Sequence, residues 1–349
     1  RISYGEKIPF KQNEVNFIGW AIEARIYAED SSRNFLPSIG RLTRYIEPEG
    51  KNIRIDSGVI EGSEISMYYD PMISKLCVFS QNRVLAIQKM IDVFDRYLIE
   101  GVQTNRDFLS SIFQNRDFIN GKFSTKFIEE NYSKGFNSEK AELSSPDKMF
   151  AVATFIHYKY MLRAASISNQ IKGFNRMVGN EWNVILGKQS YKTKITYNNF
   201  NKNYDIFIEK KYFSFKSDWK IGFPLLSALI DNKVLYFSVQ RDGPKYNIIH
   251  KSSKIRVIVL SDRHAELNKI MLPRKEVDNS KFLLSPMPGL LVSILVKKGQ
   301  SVQAGESLAI VEAMKMENIL KAEKDIIIKE ILSKEGDSLV VDQSIMEFA

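Results

Sequence analysis

Apolar and polar positions alternate from Ile18 to Ala28. Ile22, Ala24, Ile26 and Ala28 share one face; Glu23, Arg25, Tyr27 and Glu29 share the other. A period of two predicts a half-buried strand whose polar face could form a site wall. Ile73 to Phe79 reads as another strand, with Cys77 as a small buried residue in it. The period then changes. Apolar residues at 84, 87, 91, 94 and 98 predict an amphipathic helix from Val84 to Leu98, closed by Gly101 as its C-cap. Thr104 opens a second predicted helix, with Asp107 three residues on. Ser124 opens a third, which ends near Tyr132. Gly135 to Pro146 is polar and turn-rich and marks a boundary.

Asp147 to Gln170 reads as one long helix. Phe150, Thr154, His157, Met161 and Ala164 form one stripe, with Ala151, Phe155, Tyr158 and Leu162 beside it. A helix apolar over so much of its circumference must be surrounded. Short strand-like runs follow, from Trp182–Leu186 to Ile255–Leu260, with turn signals between them. A buried helix followed by about eight strands predicts a β-barrel wrapped round the helix.

The end of the chain repeats itself. Gly289 to Gly299 matches Asp325 to Gly336, Ser301-Val302 matches Ser338-Leu339, and Ser307-Leu308 matches Ser344-Ile345. Paired halves of this kind suit a small flattened β-barrel with few open edges. Between the halves lies Glu312-Ala313-Met314-Lys315-Met316-Glu317-Asn318. Strand-like runs on both sides predict a hairpin that presents Lys315 to solvent.

With 349 residues the chain suits two or three domains. The expected class is multidomain α+β, divided as 1–137, 147–272 and 282–349. Leu272 to Lys281 is charged and reads as a stiff leash before the last unit. The single cysteine excludes an internal disulfide framework. His157, His250 and His264 lack metal-ligand spacing, so no metal site is expected. No apolar run approaches the roughly 20 residues of a membrane helix, and no secretory pattern opens the chain. The net charge of +9 comes from lysines spread along the whole sequence. It reads as a general Lys-, Asn- and Ile-rich composition, and no nucleic-acid motif accompanies it.

Three stretches carry a family resemblance. Ser285-Pro286-Met287-Pro288-Gly289, followed by Glu312-Ala313-Met314-Lys315-Met316, resembles the signature of the biotinyl carrier domains of biotin-dependent carboxylases. The resemblance implies biotin on the Lys315 amine, with Met314 and Met316 as adaptable apolar neighbours for several docking surfaces. Plain hairpin packing is the other reading of the two methionines. Glu23-Ala24-Arg25-Ile26-Tyr27-Ala28-Glu29-Asp30, with Leu36-Pro37-Ser38-Ile39-Gly40 and Tyr68 to Leu76, resembles the C-terminal subdomain of biotin carboxylase. That likeness implies that Arg25 touches the ureido ring of biotin and stabilises the enolate formed before carboxylation. Without it, Arg25 reads as a cross-strand partner of a neighbouring Glu. Asp70 matches a family aspartate beside the same site, although Asp before Pro is also a common turn. The helix and barrel, with Gly222-Phe223-Pro224-Leu225-Leu226-Ser227 and Ala265-Glu266-Leu267-Asn268-Lys269, resemble the domain that joins α and β subunits in carboxylases of the propionyl-CoA type. Lys172 to Glu181 is either the contact with that partner or a solvated loop.

The resemblance implies an α subunit of an acyl-CoA carboxylase. Biotin on Lys315 would be carboxylated with ATP, bicarbonate and Mg2+. A carboxyltransferase β subunit would then pass the carboxyl to propionyl-CoA. Expected partners are that β subunit, in a hetero-oligomer of six α and six β chains, and a biotin protein ligase; no nucleic acid or membrane is expected. In this family the ATP-grasp region precedes the biotin carboxylase C-terminal subdomain. Residues 1–17 cannot contain it, and no Gly-rich phosphate loop occurs elsewhere, so the chain is expected to be the later part of a longer subunit. The expected location is cytoplasmic in a bacterium or the mitochondrial matrix in a eukaryote. The alternatives are a methylcrotonyl-CoA or other acyl-CoA enzyme, or a biotin carrier and scaffold without catalysis. A mere scaffold would have no need of Arg25.

Overall fold

The computed structural model describes residues 1–33, 35–66, 68–133, 135–136, 145–168, 173, 176–272, 281–313 and 316–349. Three large hydrophobic clusters organise them, in chain order, beside a small aromatic one around Phe108 and Phe127.

The first cluster lies under an antiparallel sheet. Strand β1 (Trp20–Tyr27), β2 (Ile53–Ser57) and β3 (Met72–Ser80) pair in the order β1-β3-β2. Alternation sends Ala24, Ile26, Leu76 and Val78 into the core, and Ile73 joins them at the irregular start of β3. Helix α1 (Arg83–Arg96) covers them with Ile87, Met90, Val93 and Phe94. Asn82 starts that helix by accepting the Leu85 N–H.

The expected helix to Leu98 is too long. The chain leaves the helix at Tyr97, and Leu98–Glu100 pairs instead with Arg44–Ile46 as a short strand. Gly101 therefore does not cap α1. It has φ +105, and a Cβ there would lie 2.0 Å from the Arg41 carbonyl oxygen. Close backbone approach explains this glycine. Helix α2 (Arg106–Gln114) begins at Asn105 rather than Thr104. The third expected helix shortens to Phe127–Asn131.

The second cluster fills a barrel. Helix α3 (Pro146–Ala165) enters it with every residue from Met149 to Ile156 buried. The helix ends at Ala165, and the expected end at Gln170 lies outside the described residues. Around it run β4 (Glu181–Leu186), β5 (Gln189–Asn198), β6 (Asn203–Ile208) and β7 (Lys211–Lys216). They continue as β8 (Leu225–Ile230), β9 (Lys233–Asp242), β10 (Lys245–His250) and β11 (Ser253–Leu260). All eight pair antiparallel in sequence order, and β4 closes on β11. Phe215, Leu226, Phe237 and Ile248 point inward against Phe150 and Phe155. His157 belongs to this interior. Its Nδ1 lies 3.1 Å from the Tyr246 hydroxyl, and burial, then Arg241, push its pKa down to about 4. It is a neutral core histidine.

The barrel is joined to the first unit by the tip of the β10–β11 hairpin. Lys251 and Ser252 form a two-residue turn with φ 48 and 63, and the tip meets α1 and α2. The Lys251 N–H donates to Asp95 Oδ1 at 2.7 Å. Gln114 Nε2 donates to the Lys251 carbonyl at 2.9 Å. His250 Nδ1 lies 3.0 Å from Asp95 Oδ2 and 2.8 Å from the Tyr236 carbonyl. Both neighbours only accept, so Nδ1 carries the proton. The Asp95→Ala variant leaves the Lys251 N–H unmatched and leaves His250 Nδ1 with the Tyr236 carbonyl alone. We expect it to destabilise the joined units by roughly 1–3 kcal/mol in urea unfolding. A change within about 0.5 kcal/mol, as for an ordinary surface position, would mean that Asp95 does not hold this joint.

The third cluster sits between two four-stranded sheets. Its strands are β12 (Phe282–Leu284), β13 (Gly289–Ile294), β14 (Ser301–Val302) and β15 (Ser307–Ala313). The second half supplies β16 (Met316–Lys321), β17 (Ile326–Ile331), β18 (Ser338–Leu339) and β19 (Ser344–Phe348). The sheets run β12-β19-β17-β14 and β16-β15-β13-β18. The sequence repeat is visible in this arrangement: Gly299 and Gly336 hold equivalent turns, with φ 84 and 88.

Candidate functional site

The outward face of the first sheet is built by register. Arg25 on β1 stands opposite Lys75 on β3, and Lys75 stands opposite Asp56 on β2. One step along, Glu23, Cys77 and Arg54 make the next row. Two cations side by side on a strand pair are unfavourable unless an anion joins them. Arg25 has a partner on its own strand: its Nε donates to Glu23 Oε1 at 3.1 Å. The expected cross-strand Glu is therefore absent, and the cross-strand neighbour is Lys75. Glu23 first, then Tyr27, raise the Arg25 pKa further. Both side chains of the Arg25–Glu23 pair are about half exposed, 56% and 43%. Such a pair holds weakly, so the guanidinium can turn to another anion.

The backbone under Arg25 is clamped. Buried Asn105 accepts the Tyr27 N–H at 3.0 Å through Oδ1 and donates to the Arg25 carbonyl at 3.1 Å through Nδ2. The sequence opens the helix at Thr104 and gives this asparagine no role. No local signal shows it, because its partners lie 78 and 80 residues away. We expect Asn105→Ala to free the Tyr27 amide and speed its hydrogen exchange by at least about tenfold, the equivalent of one lost buried bond. Unchanged exchange would show that the strand is held without the clamp.

Asp70 sits before this face and accepts the Met72 N–H through Oδ1 at 2.9 Å, a turn-forming bond. It also raises the pKa of half-buried Glu29, after the larger effect of burial. Cys77 departs from its expected place. Alternation puts Leu76 and Val78 in the core, so Cys77 lies half-buried on the charged face, with Sγ 3.7 Å from Glu23 Oε2. Burial and then Glu23 push its thiol pKa up.

In the third unit the β15–β16 ladder reaches its last rung at Ala313 and Met316. Met314 and Lys315 follow Ala313 in the chain and lie outside the described residues. What surrounds them is described. Met316 is 48% exposed, while Met287 is buried. Asn318 Nδ2 lies 3.7 Å from Met287 Sδ and 3.4 Å from the Met316 carbonyl. Ser285 Oγ donates to the Met287 carbonyl at 2.7 Å. A Cβ at Gly289 would lie 2.6 Å from the Glu312 carbonyl oxygen, so glycine is required beside this strand. The Ser285–Gly289 segment thus packs beneath the hairpin. A ladder end with Met316 exposed and Ala313 anchored in the core fits a lysine that other proteins must reach, and so fits covalently carried biotin. The first unit also touches this one, because Leu36 packs against its core.

The Lys172–Glu181 connection is described only in part. Lys172, Phe174 and Asn175 lie outside the described residues, and Met177 is 93% exposed. Among the described residues, no helix is long and apolar enough to cross a membrane.

Comparison with known proteins matches three families in the same order. They are the biotin carboxylase C-terminal domain over residues 23–130, the propionyl-coenzyme A carboxylase BT domain over 149–274, and the biotin-requiring enzyme domain over 281–348. The propionyl-CoA carboxylase alpha chain of Ruegeria pomeroyi is 38% identical, with 100% of this chain and 54% of the relative covered. The human mitochondrial propionyl-CoA carboxylase alpha chain is 33% identical, covering 97% and 47%. The rat mitochondrial methylcrotonoyl-CoA carboxylase subunit alpha is 30% identical, covering 100% and 50%. The chain belongs to the biotin-dependent carboxylases. Within them it is homologous along its whole length to propionyl-CoA carboxylase alpha chains. It spans about half the length of the curated relatives it matches.

Proposed function

We propose that this chain is part of an acyl-CoA carboxylase α subunit acting on propionyl-CoA together with a β subunit. It divides as 1–137, 147–272 and 282–349. The observation that carries the reading is the pairing of a cationic sheet face, Arg25 beside Lys75, with a hairpin whose rung at Ala313 and Met316 brackets Lys315. Biotin joined to Lys315 would supply a mobile carrier of a carboxyl group. ATP, bicarbonate and Mg2+ would be handled outside these 349 residues.

Each unit then has a physical task. Arg25 holds an oxyanion through its planar fork, and its bond strengthens as negative charge grows. Lys75 adds positive charge beside it. Leu36, in a short strand soon after β1, gives the carrier a resting contact near that face. Tethering replaces a bimolecular encounter by a high local concentration. The barrel, with a neutral His157 inside it, connects: it joins the first unit through Asp95 and offers Met177 and the rest of the 172–181 connection to the β subunit. A carrier that visits two sites cannot be tightly fixed at either.

A pull-down with the β subunit tests this division. Deleting 282–349 should leave the subunits associated, and deleting 147–272 should separate them. The reverse pattern would assign the main contact to the carrier.

A further inference from the structure

Where the open end of the barrel meets the first unit lies a cleft of about 290 Å3. Its lining includes Tyr160, Trp219, Tyr246 and Arg241 of the barrel with Arg44 and Glu100 of the first unit. Barrel mouths and domain junctions are where small-molecule pockets concentrate. The volume is at the lower edge of ordinary pockets, about 300–1,000 Å3, so it suits one ring or a short chain and not a nucleotide.

The charges around it do not balance. Arg44 Nη1 lies 3.3 Å from Glu61 Oε1, and Arg44 also pairs across strands with Glu100. Glu100 is further shared with Arg106. Arg241 has no carboxylate partner among the described residues. Its Nε donates only to the Gly243 carbonyl of its own turn, at 2.9 Å. Its guanidinium carbon sits 4.4 Å from the centre of the Tyr160 ring, which holds the flat group against the aromatic wall. The charge is felt inside the barrel, because it lowers the pKa of both His157 and Tyr246. Those two groups stay neutral: burial drives His157 down to about 4 and Tyr246 up to about 12. Neither can offset Arg241. The barrel wall is fixed, since Trp219 Nε1 donates to the Phe223 carbonyl at 2.8 Å and so pins the Gly222-Phe223-Pro224 turn.

We propose that this junction cleft binds a small organic carboxylate, with its apolar body against Tyr160 and Trp219 and its carboxylate on Arg241. A bidentate guanidinium–carboxylate pair is the strong form of such a bond. The site is separate from the Arg25 face and does not depend on the carboxylase reading. Because both units line the cleft, an occupant would favour their docked arrangement.

The probes are benzoate and its neutral isostere benzamide, titrated by ligand-observed NMR against the purified chain. Benzoate should bind saturably and at least about tenfold tighter than benzamide, the margin a charge-assisted contact supplies. Arg241 is exposed, so Arg241→Gln should fold and should remove the preference for benzoate. Lys324→Gln, on the carrier, lowers the net charge equally and should leave the preference intact. Equal binding of the two probes, an unchanged preference in Arg241→Gln, an equal loss in Lys324→Gln, or no saturable benzoate signal would each overturn the proposal.

Discussion

Lys315→Arg will carry no biotin after co-expression with a biotin protein ligase, while the parent chain will be retained by streptavidin and gain one biotinyl group in intact mass. The effect is all-or-none, because the substitution keeps the positive charge and removes the acylatable amine. An exposed lysine amine, with a pKa of about 10.4, is mostly protonated at neutral pH and does not acylate unaided. Under the proposed reading a ligase has to find this lysine among many, with the strands that flank it as the guide. The ladder ends at Ala313 and Met316, Met316 is exposed, and Gly289 allows the Ser285–Gly289 segment to lie against Glu312. A second variant isolates that geometry. Gly289→Val keeps Lys315 but puts a Cβ 2.6 Å from a backbone oxygen. It should lower biotinylation by disturbing the strand beside the hairpin. Streptavidin retention of the Lys315→Arg chain would move the carrier function to another lysine.

Much of this architecture was legible because periodicity speaks about faces. The barrel strands lie within a few residues of their expected runs, from β4 at Glu181–Leu186 to β11 at Ser253–Leu260. Alternation was enough there, since one face of each strand lines the core that α3 occupies. The repeat around Lys315 was equally plain, because two halves share glycines with the same positive φ. What stayed hidden depends on register and on long-range contact. Lys75, Asp56 and Arg54 join the Arg25 face only through strand pairing. A one-residue slip would send them to the other side. Cys77 was misplaced for the same reason: the apolar run around it does not say which parity faces the core. Gly101 followed an amphipathic helix and so resembled a cap, but the backbone of Arg41, 60 residues earlier, is what it accommodates. The Asp95–Lys251 joint spans 156 residues, and nothing local announces it.

Assayed together with an ATP-binding part, Arg25→Lys should lower the rate of biotin carboxylation by about 10²-fold or more, roughly 3 kcal/mol of lost transition-state contact. Lysine keeps one positive charge on β1, so a purely electrostatic role would survive the change. It loses the planar fork that can hold one oxyanion with two parallel N–H groups. Folding should be little affected. Arg25 is half exposed, its Glu23 partner binds it weakly, and the strand beneath is clamped by Asn105 through backbone atoms that any residue at position 25 supplies. The kinetic pattern separates the possibilities. A fall in kcat with little change in the KM for ATP places Arg25 at the reacting group. A rise in KM alone places it in ground-state binding. Lys75 gives the comparison, since it stands opposite Arg25 on the same face but lacks the fork. Lys75→Arg should be tolerated far better than Arg25→Lys, because it adds hydrogen-bonding capacity without removing charge. Wild-type rates in Arg25→Lys would reduce Arg25 to a sheet residue balanced by Glu23 and leave the cationic face without a chemical role.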